Sequence, residues 1–397
     1  SNNEKAVLLL EKRTFKELLV DMELRNLQNN IVGQEASRLF ARAEINMGVE
    51  AFRDSLYSLL KRNTFLNIKF ENMLDTLGEI SRTDIRSLLG EWEKTTPLPF
   101  YSLGEPTLTK ITNKGGEEFF VLKMLISNNS DYDGIIHMDI RKDGWWYQPL
   151  EDPRAKTKIE MPAHTSKEFV SVWEDQIRNV EINTMVSGNL PNIISQDINN
   201  VKQERNKIVK DSIYILPESS FDLPGEIIVD NEDSTLFILS APPIVGLLPK
   251  WLDEVEETPF KYSGISWWRP PLQWTATTND RYYGKYIRSA FVIKSGDGSQ
   301  TATWKVPVPE VGQYDLYYHV FKDDELRWNN NLQGEYHFKV KYGSEVEDAY
   351  VNLRKANEGW EQLGSYYFDS DTIRVVLTDE CKLRSVTADA VKIVKRY

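Results

Sequence analysis

Apolar residues recur at helical spacing through residues 4–95 and at strand spacing through most of residues 102–397. Phe15, Leu18, Leu19 and Met22 share one helical face; Val49, Phe52, Leu56 and Leu59 share another. Phe70, Met73, Leu74 and Leu77 repeat the pattern, as do Ile85, Leu88, Leu89 and Trp92. Spacings of three and four residues stack side chains on one side of a helix, so each set predicts an amphipathic helix. Ser81 with Asp84 predicts a capping box, and Pro97 and Pro99 end the helical region because proline lacks the amide proton. After them the period falls to two. Phe120, Leu122, Met124 and Ile126 alternate with Phe119, Val121 and Leu125, a density that predicts a strand buried on both faces. Ile136, Met138 and Ile140 alternate with His137 and Asp139 beyond a turn at Asn128–Gly134.

The pattern then lapses and resumes. Asn189 to Gly225 carries Pro191, Pro217 and Pro224 among mixed charges, which suits an extended linker. Strand alternation returns at Ala302, Trp304, Val306 and Val308, then at Tyr314, Leu316, Tyr318 and Val320. Tyr336, Phe338, Val340 and then Ile373, Val375, Leu377 continue it. Short strands with turns between them and no repeated helix predict a β-sandwich or jelly roll. The expected fold class is therefore multidomain α+β. Residues 1–101 are a helical segment, 102–190 a small β-domain, 191–224 a linker, and 225–397 a jelly-roll-like sandwich. An insertion at 240–262 interrupts the sandwich: Ala241–Pro249 is apolar and proline-punctuated, Asp253–Glu257 acidic.

Composition narrows the partners. The chain has 397 residues, 41% hydrophobic and 27% charged, enough apolar surface for ordinary cores. Its net charge of −12 argues against a nucleic-acid partner, since phosphate backbones are gripped by clustered Lys and Arg. The basic stretch Lys202–Lys210 is diluted by Gln203, Glu204 and Asn206 and reads as solvated linker. A single cysteine, Cys381, forms no internal disulfide and reads as a packed thiol near a strand end. No apolar run reaches the roughly 20 residues a bilayer-spanning helix needs.

Candidate chemistry is sparse. The four histidines, His137, His164, His319 and His337, include no H-E-x-x-H pair, the arrangement that sets two imidazoles on one helix face for zinc. His164 reads as a satisfied loop residue. Asp389, between alanines, reads as an acceptor of backbone hydrogen bonds, and calcium at Asp389 with Asp230 and Asp233 would need further oxygens. No catalytic residue, metal ligand or cofactor site is assigned. The richest aromatic stretch supplies the candidate ligand-binding residues: Trp267, Trp268, Arg269, Trp274, Tyr282 and Tyr283. Such rings suit a sugar or peptide groove. They equally suit a seam on the 240–262 insertion or the preceding β-domain, and the Arg269-Pro270-Pro271 run favours the seam by enforcing an extended segment.

Two resemblances add to this. Gly48-Val-Glu-Ala-Phe52, Leu59-Leu60-Lys61-Arg62, Phe65, Phe70, Leu74, Leu77, Asp84, Leu88, Trp92 and Leu98-Pro99-Phe100-Tyr101 resemble the last helices of aminopeptidase-N-like zinc peptidases, the gluzincins. That resemblance covers residues 34–101 and implies an Ig-like fold for the β-domain after it. Glu226–Asn231, Ala302–Trp304, Gly312–Tyr317, Glu335–Phe338, Gly359-Trp360, Leu363–Phe368, Val375–Thr378 and Ala388–Val391 resemble the golvesin C-terminal-like domain, related to the putative carbohydrate-binding module of xanthan lyase. Together they imply the non-catalytic C-terminal region of a longer bacterial peptidase-like protein. Zinc would reside in the parent, and the parent would be membrane-attached and face the periplasm or cell surface. The implied role is accessory, assembling with the upstream peptidase domain; the alternative is a carbohydrate-binding module acting through the sandwich. Helices deprived of a neighbouring domain would expose Phe15, Leu18 and Leu19, a face suited to a homodimer.

Overall fold

A computed structural model describes residues 2–396 except 65, 82–83, 87–93, 143–147, 151, 199, 206–208, 218–224, 241–259, 267 and 323–333. Two compact units divide the chain, residues 1–221 and 222–397.

The first unit opens with α1 (Asn2–Lys12), α2 (Phe15–Val20), α3 (Gln28–Met47), α4 (Val49–Arg62) and α5 (Phe70–Ser81). Thr14 and Glu17 cap α2 reciprocally: the Glu17 amide donates to Thr14 Oγ1 (3.2 Å) and the Thr14 amide to Glu17 Oε2 (2.9 Å). Gly48 breaks α3 from α4 at φ +84°, a left-handed conformation a side chain would resist. The face expected to lie bare is covered. Phe15 and Leu18 are buried and Leu19 half-buried among Val7, Leu10, Ile31 and Val186, because α1, α3 and the β-domain close over α2. Met22 has left the helix for a 3-10 turn and is exposed. The expected helix at 85–92 and its capping box at Ser81 fall largely outside the described residues, Leu88, Leu89 and Trp92 among them.

Eleven strands among the described residues come next in this unit: β1 (Tyr101–Leu103), β2 (Thr107–Thr112), β3 (Glu118–Asn128), β4 (Gly134–Lys142), β5 (Gln148–Pro149), β6 (Lys156–Met161), β7 (Thr165–Trp173), β8 (Ile177–Asn183), β9 (Ile193–Asp197), β10 (Val201–Arg205) and β11 (Ser212–Pro217). One sheet runs β10-β2-β3-β7-β11 with β1 on β3; the other runs β5-β4-β8-β9 with β6 on β4. Leu122, Met124 and Ile126 of the first meet Ile136, Met138 and Ile140 of the second in one buried cluster. The β-domain expected after the helices is present, but its extent is larger. Residues 193–217, expected as linker, supply β9, β10 and β11. Pro191 precedes β9 and Pro217 ends β11, border positions where a missing amide proton breaks no ladder. His164, at φ +50°, occupies the turn before β7 with Nε2 2.8 Å from Asp131 Oδ1, a satisfied loop histidine.

The second unit holds β12 (Glu226–Val229), β13 (Phe237–Leu239), β14 (Thr275–Thr278), β15 (Ser289–Lys294), β16 (Thr301–Pro307), β17 (Gly312–Val320), β18 (Glu335–Tyr342), β19 (Glu345–Asn352), β20 (Gly359–Phe368), β21 (Thr372–Thr378), β22 (Ser385–Ala388) and β23 (Val391–Lys395). These form a four-stranded sheet β12-β23-β17-β20, a five-stranded sheet β13-β16-β21-β18-β19 and a three-stranded sheet β14-β15-β22. The two larger sheets share one core. Leu316, Tyr318 and Ile393 of the first pack with Trp304, Phe338, Val375 and Leu377 of the second, all essentially inaccessible. Each such side chain contributes about 1.5–3 kcal/mol by leaving water. The result is the β-sandwich the alternation predicts.

Candidate functional site

The period of two that fills the core also decides what faces water. Along β17, Tyr314, Leu316, Tyr318 and Val320 point inward, so Asp315, Tyr317 and His319 line the outer face of the four-stranded sheet. Residues paired across antiparallel strands share a face. Tyr317 pairs with Lys392 of β23 and Gln362 of β20; His319 pairs with Trp360. The pairing assembles an aromatic strip with one cation in it. The His319 and Trp360 rings meet edge to face at 5.1 Å, and Lys392 Nζ lies 4.8 Å from the Trp360 ring and 5.4 Å from that of Tyr317. Glu226 Oε1, 2.8 Å from Lys392 Nζ, holds the ammonium in place.

A loop between β14 and β15 completes the strip. Its Tyr283 ring lies 5.1 Å from Trp360 and 5.8 Å from His319. Asp389, wholly buried between β22 and β23, ties the loop to the sheet. It accepts the Tyr283 amide at 3.2 Å on each oxygen and faces His319 Nδ1 at 2.8 Å. Its own backbone oxygen accepts Trp304 Nε1 at 3.2 Å. Burial pushes the Asp389 carboxyl above the usual range, with His319 pulling the other way. Burial and the Asp389 charge likewise push Asp230 well up. The expected role of Asp389, an acceptor for a turn backbone, is thus observed, with an imidazole added. Next along the face, Gln362 donates to Asp315 Oδ1 (3.0 Å), while Arg396 Nε, 2.8 Å from Asp315 Oδ2, holds that carboxyl below its usual range. Rings beside fixed amide and carboxylate groups can stack on a sugar while binding its hydroxyls.

The candidates drawn from the aromatic stretch do not converge. Tyr283 joins the strip. Tyr282, beside it, is buried with its ring 4.6 Å from Phe321, over which Arg281 also lies, so it anchors the loop. Trp268 is 62% exposed and meets Arg384 at 5.3 Å, away from that cluster in its contacts. Arg269 is exposed, with its amide donating to Ser266 O at 3.0 Å. Trp274 is half-buried against the sandwich core, so it reads as packing rather than as a ligand platform. Trp267 and most of the expected seam partner at 240–262, residues 241–259, lie outside the described residues. Sequence reasoning missed Trp360, Tyr317, His319 and Lys392 as site residues. The outward phase of β17 could have flagged two of them, but the pairing that adds the others spans more than forty residues.

Among the described residues no three His, Cys, Asp or Glu side chains gather as a metal-binding group, Asp230, Asp233 and Asp389 included.

Comparison with known proteins bears on this unit. Residues 270–395 match the Golvesin C-terminal domain. The golvesin-like region thus contains β14 to β23 and every member of the strip, while β12, which carries Glu226, joins the same sheet through its ladder with β23. Among solved structures, a Paenibacillus xanthan lyase is similar at 16% identity and TM-score 0.30, over 76% of this chain and 27% of that one. A Bacteroides uniformis β-glucuronidase is similar at 12% identity and TM-score 0.21, over 80% of this chain and 32% of that one. The chain therefore spans about a third or less of either protein. No curated protein matches. The gluzincin resemblance of residues 34–101 finds no support in these comparisons.

Proposed function

We propose that the second unit is a carbohydrate-binding module whose platform is the outer face of the four-stranded sheet. One observation carries the reading: Trp360, Tyr317, Tyr283 and His319 converge there with Lys392, held by residues that are themselves buried or paired. An aromatic strip of this kind on a sheet face presents ring surface to a sugar while Gln362 and Asp315 meet hydroxyl groups. The helices and the first β-domain, read as Ig-like, serve as a spacer in this scheme, and a periplasmic or cell-surface location goes with it. Its test is binding of the whole chain to a panel of neutral polysaccharides by affinity electrophoresis. Trp360→Ala and Tyr317→Ala should each weaken retention by a factor of about 30, as truncating a central aromatic of an interface does. Undiminished retention in both variants would remove this face from consideration.

A further inference from the structure

The opposite face of the sandwich carries a different chemistry. On β16, β21 and β18, Lys305 pairs with Arg374 and Arg374 with Lys341, so three cations stand in one row across adjacent strands. Neighbouring strands are about 4.8 Å apart, and like charges directly opposite one another destabilise a sheet. Lys339, two residues from Lys341, adds a fourth cation on the same face. Its cross-strand neighbour Asp348 directs Oδ1 to His337 Nε2 at 2.7 Å. Among the described residues none of the four cations has an ion pair or side-chain hydrogen bond, although the chain carries twelve excess negative charges and pairs many of its other cations. Arg374 and Lys341 are exposed. Farther along the face, the half-exposed Tyr350 ring stacks on His337 at 4.8 Å and 9°.

We propose that this face binds an anionic polysaccharide, with Lys305, Arg374 and Lys341 meeting successive carboxylates and Tyr350 offering ring surface beside them. Arg374, in the middle of the row, presents the planar fork that matches a carboxylate. Arg374 and Lys341 stand exposed on the flat of a sheet, which suits a linear chain. Four cations on a chain of net charge −12 are too few for a nucleic-acid backbone, where affinity grows with the number of phosphates neutralised. The surface is distinct from the aromatic strip and does not depend on it.

The test is affinity electrophoresis of the whole chain in gels containing polygalacturonate, alginate, hyaluronate or chondroitin sulfate, with a chelator present and a neutral galactan as reference. At least one acidic polymer should retard the protein, more at about 10 mM than at about 150 mM salt, since screening shortens the reach of exposed charges. The K305Q/R374Q/K341Q variant should bind about tenfold more weakly, the sum of three exposed ion pairs. R374Q alone should lose about threefold, which keeps the proposal testable if the triple variant fails to fold. Retardation by none of the four, or equal retardation of wild type and variants, overturns the proposal. So does equal binding to duplex DNA or anionic vesicles through the same three residues, which would make this a general anion surface.

Discussion

Asp389 is the residue on which the aromatic strip depends, and Asp389→Ala measures how much. The alanine leaves the Tyr283 amide without its acceptor and His319 Nδ1 without its hydrogen-bond partner. Each polar group so stranded costs about 1–3 kcal/mol. Part of that is offset, because the native carboxyl is itself disfavoured by burial and repels the charge of Asp230. The net loss is about 2–4 kcal/mol. For a unit the size of residues 222–397, one kcal/mol moves the melting temperature by about 2–4 °C, so its transition should fall by roughly 4–16 °C. Asp389→Asn keeps one acceptor oxygen and should cost about half as much. The pH dependence has a definite sign. Folding raises the Asp389 pKa, so the native chain holds that proton more tightly than the unfolded chain does. The associated stability is complete below the unfolded value, about 3.8, and is lost as pH rises through the folded one. The asparagine variant does not titrate, so it compares with wild type worst on the acid side and best at neutral pH and above. Scanning calorimetry of the whole chain across that window reads both effects. Melting of Asp389→Ala within about 1 °C of wild type would refute the reasoning, because a truly buried acceptor of two hydrogen bonds cannot be removed at no cost.

Two further outcomes are expected. Trp274→Ala should destabilise the second unit by about 2–4 kcal/mol, since a half-buried tryptophan on the core approaches the cost of a fully buried one, whereas Trp268→Ala should cost no more than about 1 kcal/mol, an exposed cation–π contact with Arg384; equal melting temperatures for the two variants would contradict their placement. Burial pushes the Cys381 thiol up, so at pH 8 the native chain should react with a disulfide reagent well below the rate of the unfolded chain, and equal rates would show the thiol to be open.

The sequence by itself determined the class of the strongly periodic elements and which side of each such strand is wet. The alternation at Tyr314–Val320 and Tyr336–Tyr342 is local, and a strand has only two faces, so inward Tyr318 and Phe338 make Tyr317, His319, Lys339 and Lys341 outward without knowledge of any partner. Helical spacing did as much for Phe52, Leu59, Leu74 and Leu77, which share a buried cluster. What the sequence did not carry was pairing. Residues 193–217 look like linker because their prolines and charges are local signals, yet β10 is recruited by β2 and β11 by β7 through backbone ladders that any side chain can enter. Phe15 and Leu18 look bare only until α3 and Val186 close over them. The tertiary structure alone decided that Tyr283, His319, Trp360 and Lys392 stand together and that Lys305, Arg374 and Lys341 form one row. Both sites are products of register between strands far apart in the chain, and register is set by the fit of two whole sheets over a common core rather than by any short segment.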